Sequence, residues 1–212
     1  MPIPEHRTWT VEDFRRALQA PLPGLGAQLR MAPRPRPTRP WPPGHSPRRA
    51  GVLLLLYPHS GEWWFPLTLR TEGLATHQGQ VSLPGGAWEP GDPNLQHTAL
   101  RETEEELGIP SEGLQVLGKL TPLYIPPSDF CIHPFVAVAD APPLFHPDPT
   151  EVAQVIETPL QALLDPQARR WEERPVRGVL TRIPYFAIGE HKVWGATAMV
   201  LAEFAACLER LT

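Results

Sequence analysis

RETEEELGI, residues 101–109, crowds four glutamates into five positions. On a helix advancing by about 100° per residue, Ala99, Leu100, Thr103 and Leu107 form one apolar arc, and Glu102, Glu105 and Glu106 form an adjacent carboxylate face. Glu104 falls on the other flank. Carboxylates at i, i+3 and i+4 repel one another, weakening an isolated helix by about 0.2–0.5 kcal/mol per close pair, so helix stability alone does not select them. A bound cation resolves the conflict, and magnesium or manganese suits oxygen ligands of this kind. A solvated helix face is the alternative for an arbitrary acidic run, and the flanking residues weigh against it. Upstream, Leu83-Pro84-Gly85-Gly86 ends a strand with two glycines, where backbone can approach a metal or phosphate with no side chain in the way. Arg101 stands four residues before Glu105, a spacing that lets a guanidinium hold that carboxylate. The helix is expected from about Asn94 to Leu107, stopped by Gly108.

Outward from this helix the chain alternates strands with a few helices. VLLLLYP from Val52 and WWFPLTLR from Trp63 read as strands joined by a His-Ser-Gly turn, the first apolar enough to lie buried. QVSLP, LQVLGKLTPLY, CIHPFVAVA, EVAQVIE and residues 179–186 are further strands by their β-branched and aromatic content. PLQALLD reads as a short helix with proline at its first position, and Ala196 to Leu211 as a longer terminal helix. This order predicts an α/β fold, a mixed sheet packed between helices.

The predicted organisation is an extension over residues 1–50 and a globular body over 51–212. In the extension, Thr10 and Asp13 mark a helix start, and Val11, Phe14, Ala17 and Leu18 form a stripe that should dock on the body or on a second subunit. Residues 33–47, PRPRPTRPWPPGHSP, hold too many prolines for helix or paired strand and read as a stiff, extended linker. The whole chain of 212 residues contains 29 prolines, which favours short elements over long bundles. Cys131 and Cys207 lie in apolar stretches and read as buried free thiols. Formal charge is −4, with nine arginines against three acidic residues in the first 50 residues and the acidic excess in the body. An acidic body lacks the clustered cations of a nucleic-acid footprint. The amino terminus shows no apolar secretion signal, and Val52 to Tyr57 is too short to span a bilayer. The expectation is a cytoplasmic protein with no membrane partner; monomer and homodimer both stay open.

From Gly85 to Ile109 the sequence GGAWEPGDPNLQHTALRETEEELGI resembles the signature of the Nudix hydrolases: a glycine, a loop with an acidic residue, an arginine-glutamate pair, two more glutamates and a glycine. Arg101, Glu102, Glu105, Glu106 and Gly108 match. The interval from Gly86 to Arg101 is one residue longer than the commonest form, and Asp92 stands where glutamate is usual. The resemblance implies a Nudix-type α/β/α sandwich over roughly residues 50–210 and hydrolysis of a nucleoside diphosphate linked to another group. Glu102, Glu105 and Glu106 are then candidate ligands for Mg2+ or Mn2+. Glu105 is a candidate general base beside Arg101, and so is Glu151, since some relatives recruit a later glutamate; Glu151 could equally be an ordinary acid at a strand start. His133, like His77, could orient substrate.

Residues 67–86, LTLRTEGLATHQGQVSLPGG, resemble the segment that marks the coenzyme A pyrophosphatase branch. Leu69, Arg70, Leu74, His77, Gly79, Gln80, Val81 and the Pro84-Gly85-Gly86 turn match, and the extra residue before Arg101 is usual there. Thr71 replaces a serine, Leu83 a phenylalanine, and Ala75 an arginine that commonly follows Leu74. The implied small-molecule substrate is coenzyme A or a derivative, cut to adenosine 3',5'-bisphosphate and a phosphopantetheine. Arg70 could pair with a phosphate or form a structural ion pair, His77 and Gln80 could hydrogen-bond substrate, and Gly85 and Gly86 could bring backbone against it. ADP-ribose or another nucleoside diphosphate conjugate is the alternative substrate. A non-catalytic nucleotide-binding module is the alternative of another class.

Overall fold

The structure, a computed structural model, describes residues 8–35, 44–71, 79–176 and 178–211. The chain runs through α1 (Val11–Gln19), α2 (Leu25–Gln28), β1 (Arg48–His59), β2 (Glu62–Arg70), β3 (Val81–Ser82) and β4 (Gly85–Ala87). Then come α3 (Leu95–Leu107), β5 (Leu114–Lys119), β6 (Leu123–Ile125), β7 (Phe130–Ala139), β8 (Val152–Pro159) and α4 (Gln161–Leu164). Strands β9 (Arg169–Val176), β10 (Val179–Ile188) and β11 (His191–Trp194) and helix α5 (Gly195–Glu209) follow.

Strand β1 is the axis of the main sheet. Leu53 through Tyr57 are all 0% exposed, because alternate side chains of one strand enter two different cores. Leu53, Leu55 and Tyr57 pack with Ala99, Leu107, Phe135 and Ala137 beneath α3. Leu54 and Leu56 face the opposite layer, with Val136, Val138 and the buried Val200, Leu201, Phe204 and Leu208 of α5. β1 pairs in parallel with β7 from Arg48↔Phe130 to Leu56↔Val138, and antiparallel with β2 and β4. The sheet is therefore mixed, in the order β3-β2-β1-β7-β5, with β4, β6 and β8 attached beside this path. Helices cover both faces, giving the α/β/α sandwich expected. β9, β10 and β11 form a separate antiparallel sheet.

The amino-terminal segment enters the same core as α5. The Thr10 side chain accepts from Asp13 N at 3.2 Å and the Asp13 carboxylate accepts from Thr10 N at 2.9 Å, a reciprocal capping box. The stripe of α1 buries Phe14, whose ring meets Trp63 edge-on at 5.0 Å and lies 6.2 Å from Phe204. Behind it, the buried carboxylate of Glu203 on α5 accepts from Gln28 Nε2 at 2.8 Å, Gly24 N at 3.1 Å and Thr121 Oγ1 at 2.6 Å. A buried carboxyl group with that many donors ties α2 and the β5–β6 connection to α5.

Several elements differ in detail from the sequence expectation. β1 starts at Arg48, ahead of Gly51. LQVLGKLTPLY divides into β5 and β6 around Pro122, which has no N–H for a ladder. Pro159 ends β8 and Leu160 caps α4, so the proline stands before the helix and not within its first turn. β9, missed in the sequence, is RRWEERPV, mostly exposed along its length and without the alternation that announces a half-buried strand. Cys131 and Cys207 are buried and free. Residues 36–43 of the arginine-proline stretch lie outside the described residues. No helix among the described residues is long and apolar enough to cross a membrane.

Phe14 is 0% exposed among the rings of Trp9, Trp63 and Phe204, so Phe14→Ala should cost about 3–5 kcal/mol. Urea unfolding of the full chain measures it; a change below about 1 kcal/mol would mean that α1 does not depend on this contact.

Candidate active site

Helix α3 begins with Asn94, whose side chain accepts from His97 N at 2.9 Å, and ends at Gly108, left-handed with φ 67°. Its position on the sheet depends on glycines. A Cβ on Gly51 would strike the backbone of Leu95 and Ala99, and one on Gly86 would fill the space of the Glu102 carboxylate. With both positions bare, α3 lies directly on β1 and β4, and Glu102 rests against the Gly85-Gly86 turn. One turn later Glu106 reaches the same turn. It is 2% exposed, and its oxygens accept from Gly85 N at 3.3 Å and Arg70 Nη1 at 3.2 Å.

Arg70 ends β2, just after a register shift against β8 between Leu69 and Arg70, a bulge of the kind that re-aims a side chain. Its second nitrogen, Nη2, lies 3.7 Å from Glu151, which precedes β8. Arg101 is gripped more firmly. Nε and Nη2 donate to the two oxygens of Asp92 at 3.0 and 3.2 Å, Nη1 donates to Glu105 at 2.7 Å, and Nη2 stands 2.9 Å from Glu102. Asp92 is buried and also accepts from Thr98 Oγ1 at 2.8 Å and Glu89 N at 3.1 Å. The Arg101 hydrogen bonds in particular hold its carboxyl far below the usual carboxylate range, and Asp92 in turn raises Arg101.

The carboxylates beside the turn behave oppositely. Burial pushes Glu106 up to about 8; Arg70 and the Gly85 N–H offset part of that, while Glu102 and Glu151 add to it. Glu102 is also raised, first by burial, with Arg101 opposing and Glu105 and Glu151 reinforcing. Carboxyl groups are thus concentrated where solvent is scarce, which disfavours their charged form.

The structure brings together Arg70, Gly85, Gly86, Glu102, Glu106 and Glu151. Glu105 stands apart: its side chain is 58% exposed and paired to Arg101, because Glu102 and Glu106 share the inner edge of the helix, one turn apart, and Glu105 is rotated away from it. The backbone oxygen of Gln80 accepts from Arg70 N at 3.1 Å, placing Gln80 at the mouth. His77, with Leu74 and Ala75, lies outside the described residues. His133 pairs with Gly51 on the far side of β1 from Gly86, 3.6 Å from the Cys131 sulfur, its pKa lowered chiefly by burial. Sequence reasoning missed what Asp92 does. Its signal was present as an acid in the loop before a helix that carries Thr98 and Arg101, but only folding shows the three converging.

Among the described residues no three His, Cys, Asp or Glu side chains converge into a preformed metal cage. The donor chemistry still fits a hard divalent cation. Glu102, Glu106 and Glu151 are oxygen donors close together, Glu102 and Glu151 disfavouring ionisation of Glu106 and Glu151 that of Glu102, and bare Gly86 leaves the Glu102 carboxylate against open backbone.

Three comparisons with known proteins bear on this arrangement. A family model described as NUDIX domain matches residues 47–178. The Nudix hydrolase NudL of Pectobacterium atrosepticum is 36% identical over 181 residues, covering 84% of this chain and 88% of that protein. The mitochondrial coenzyme A diphosphatase of Homo sapiens is 39% identical over 163 residues, 75% of this chain and 68% of that protein. Among solved structures, a NUDIX hydrolase from Alicyclobacillus acidocaldarius superposes with a TM-score of 0.54 at 19% identity, over 78% of this chain and 94% of that one, a likeness of fold.

Glu106 generates a pH prediction. Its folded pKa, about 8, exceeds the ordinary 4.5, so between these values the native state keeps a proton that the unfolded chain has released. Stability of the metal-free protein must therefore fall as pH rises through this window, by on the order of a few kcal/mol. Glu106→Gln removes the titration. In chelator, wild type should lose more stability than Glu106→Gln between about pH 5 and pH 8; parallel urea-unfolding profiles for the two would refute the assignment.

Proposed function

Since the chain belongs to the NUDIX domain family, we propose that this Nudix hydrolase cleaves the diphosphate bridge of coenzyme A or an acyl derivative. The products are adenosine 3',5'-bisphosphate and the corresponding phosphopantetheine. The observation that carries the hydrolytic part is the clustering of Glu102, Glu106 and Glu151 around Arg70 and the Gly85-Gly86 turn. The substrate part rests on residues 67–86 and on the relative named as a coenzyme A diphosphatase.

Glu102, Glu105 and Glu106 are assigned as ligands of Mg2+ or Mn2+, with Glu151 close enough to join them. Bound there, the divalent ion supplies Lewis acidity toward the diphosphate oxygens. Arg101, clamped by Asp92, fixes the side chains of Glu105 and Glu102. Glu105 and Glu151 are the solvent-facing carboxylates, 58% and 44% exposed, and either can take the proton of the attacking water. Attack forms a new phosphorus–oxygen bond and breaks the bridging one, the bridging oxygen leaving with the other phosphate. Arg70 and the backbone of Gly85, Gly86 and Gln80 line the approach for the anionic substrate.

Hydrolysis of ADP-ribose or another nucleoside diphosphate conjugate is the second reading, favoured by Ala75 where the coenzyme A branch commonly carries an arginine. A panel of coenzyme A, 3'-dephospho-coenzyme A, acyl derivatives, ADP-ribose and NADH, ranked by kcat/KM with Mg2+ or Mn2+, separates the two. Coenzyme A compounds should lead. ADP-ribose or NADH in front would overturn the substrate and leave the hydrolase. On the best substrate Glu106→Gln and Glu105→Gln should each lower kcat by about 100-fold or more; full activity in both would overturn the hydrolase assignment, and binding without any product would favour a non-catalytic module.

A further inference from the structure

The two arginines of the site are held in different ways. Arg101 has an anchor of its own in Asp92, a buried aspartate that also takes Thr98 and the Glu89 N–H. Among the described residues the ion pairs of Arg70 run to Glu106 at 3.2 Å and Glu151 at 3.7 Å, and no buried aspartate backs it. Its side chain is 22% exposed against 2% for Glu106, so the guanidinium lies nearer to solvent than the carboxylate it contacts. It also sits at a β-bulge, where β2 leaves its register with β8.

We propose that Arg70 is an internal counter-ion that a divalent cation displaces, and that the released guanidinium then receives the substrate's diphosphate, so cation and anion binding are coupled through one side chain. The proposal rests on the reading above, in which Glu106 binds the metal with Glu102 and Glu105 and Glu151 stands close enough to join them. Glu106 is almost wholly buried, and the Arg70 guanidinium occupies its outer side across a 3.2 Å contact, where a cation approaching the same oxygens must stand. A divalent ion on the same oxygens attracts them more strongly and repels the guanidinium beside it. The long reach to Glu151 and the partial exposure give the Arg70 guanidinium a path outward. Its planar fork, built for two parallel hydrogen bonds to an oxyanion, then lies next to the metal-bearing carboxylates, where a diphosphate must arrive. A purely structural ion pair would behave in the opposite way, supporting Glu106 and Glu151 in both states.

Mn2+ binding to the full chain, followed by the electron paramagnetic resonance signal of free Mn2+, distinguishes these behaviours without turnover. Methylenediphosphonate serves as the uncleavable anion. Without the anion, Arg70→Gln should bind Mn2+ about fivefold or more tightly than wild type, because a competing cation is gone. The anion should tighten Mn2+ binding by a larger factor in wild type than in Arg70→Gln, because the coupling through the guanidinium is lost. If Arg70→Gln fails to fold, Arg70→Lys, which keeps one charge but cannot bridge Glu106 and Glu151 with a planar fork, should shift in the same direction by less. Equal or weaker Mn2+ binding by the variant overturns the counter-ion role and leaves the hydrolase reading standing. Absence of Mn2+ binding to wild type and variant alike, with and without the anion, overturns both.

Discussion

The contact of helix α3 on the glycine-bare face of the sheet, at Gly51 and Gly86, determines where its carboxylates can stand. Any side chain on Gly51 would push the backbone of Leu95 and Ala99 away, and any on Gly86 would take the volume of the Glu102 carboxylate. Close packing converts that local requirement into a global one, since Ala99 and Leu107 share a core with Leu53, Leu55 and Ala137. Moving the helix outward would open that core as well as the site.

Bringing carboxylates so near the sheet has an electrostatic consequence. Glu106 is almost wholly buried, and burial with neighbouring negative charge opposes its ionisation. The fold answers with two guanidinium groups. Arg101 is made part of the scaffold by Asp92, while the ion pairs of Arg70, on the bulged end of β2, run among the described residues to the site's own carboxylates. Stability and readiness for a cation therefore pull against each other within a few residues, as is common where charge is gathered for chemistry.

The amino-terminal segment matters for a different reason. Its capping box and apolar stripe are local features, readable from Thr10, Asp13, Phe14 and Ala17, but the partners of that stripe, Trp63 and Phe204, are remote in sequence. Glu203 shows the same limit. In sequence it is one acid within an otherwise apolar helix, and it becomes a junction only when Gln28, Gly24 and Thr121 are folded around it.

Sequence by itself determined the features that depend on short spacing. Helix α3 and its glycine stop, the buried character of Val52 to Tyr57, and the alternation of strands and helices all follow from periodicity, capping and backbone preference, which act over a few residues. The strand pairing of the mixed sheet, the division of Glu102 and Glu106 from Glu105, and the convergence of Asp92, Thr98 and Arg101 were decided by tertiary structure. Exposed β9 escaped notice because its pairing with β10, and not any pattern of apolar side chains, makes it a strand. Arg70 kept two readings in the sequence, phosphate ligand or ion-pair partner, because a guanidinium suits either oxyanion; the fold supplied Glu106 and Glu151 by bringing β2, α3 and the start of β8 to one crevice, a meeting that no local spacing encodes.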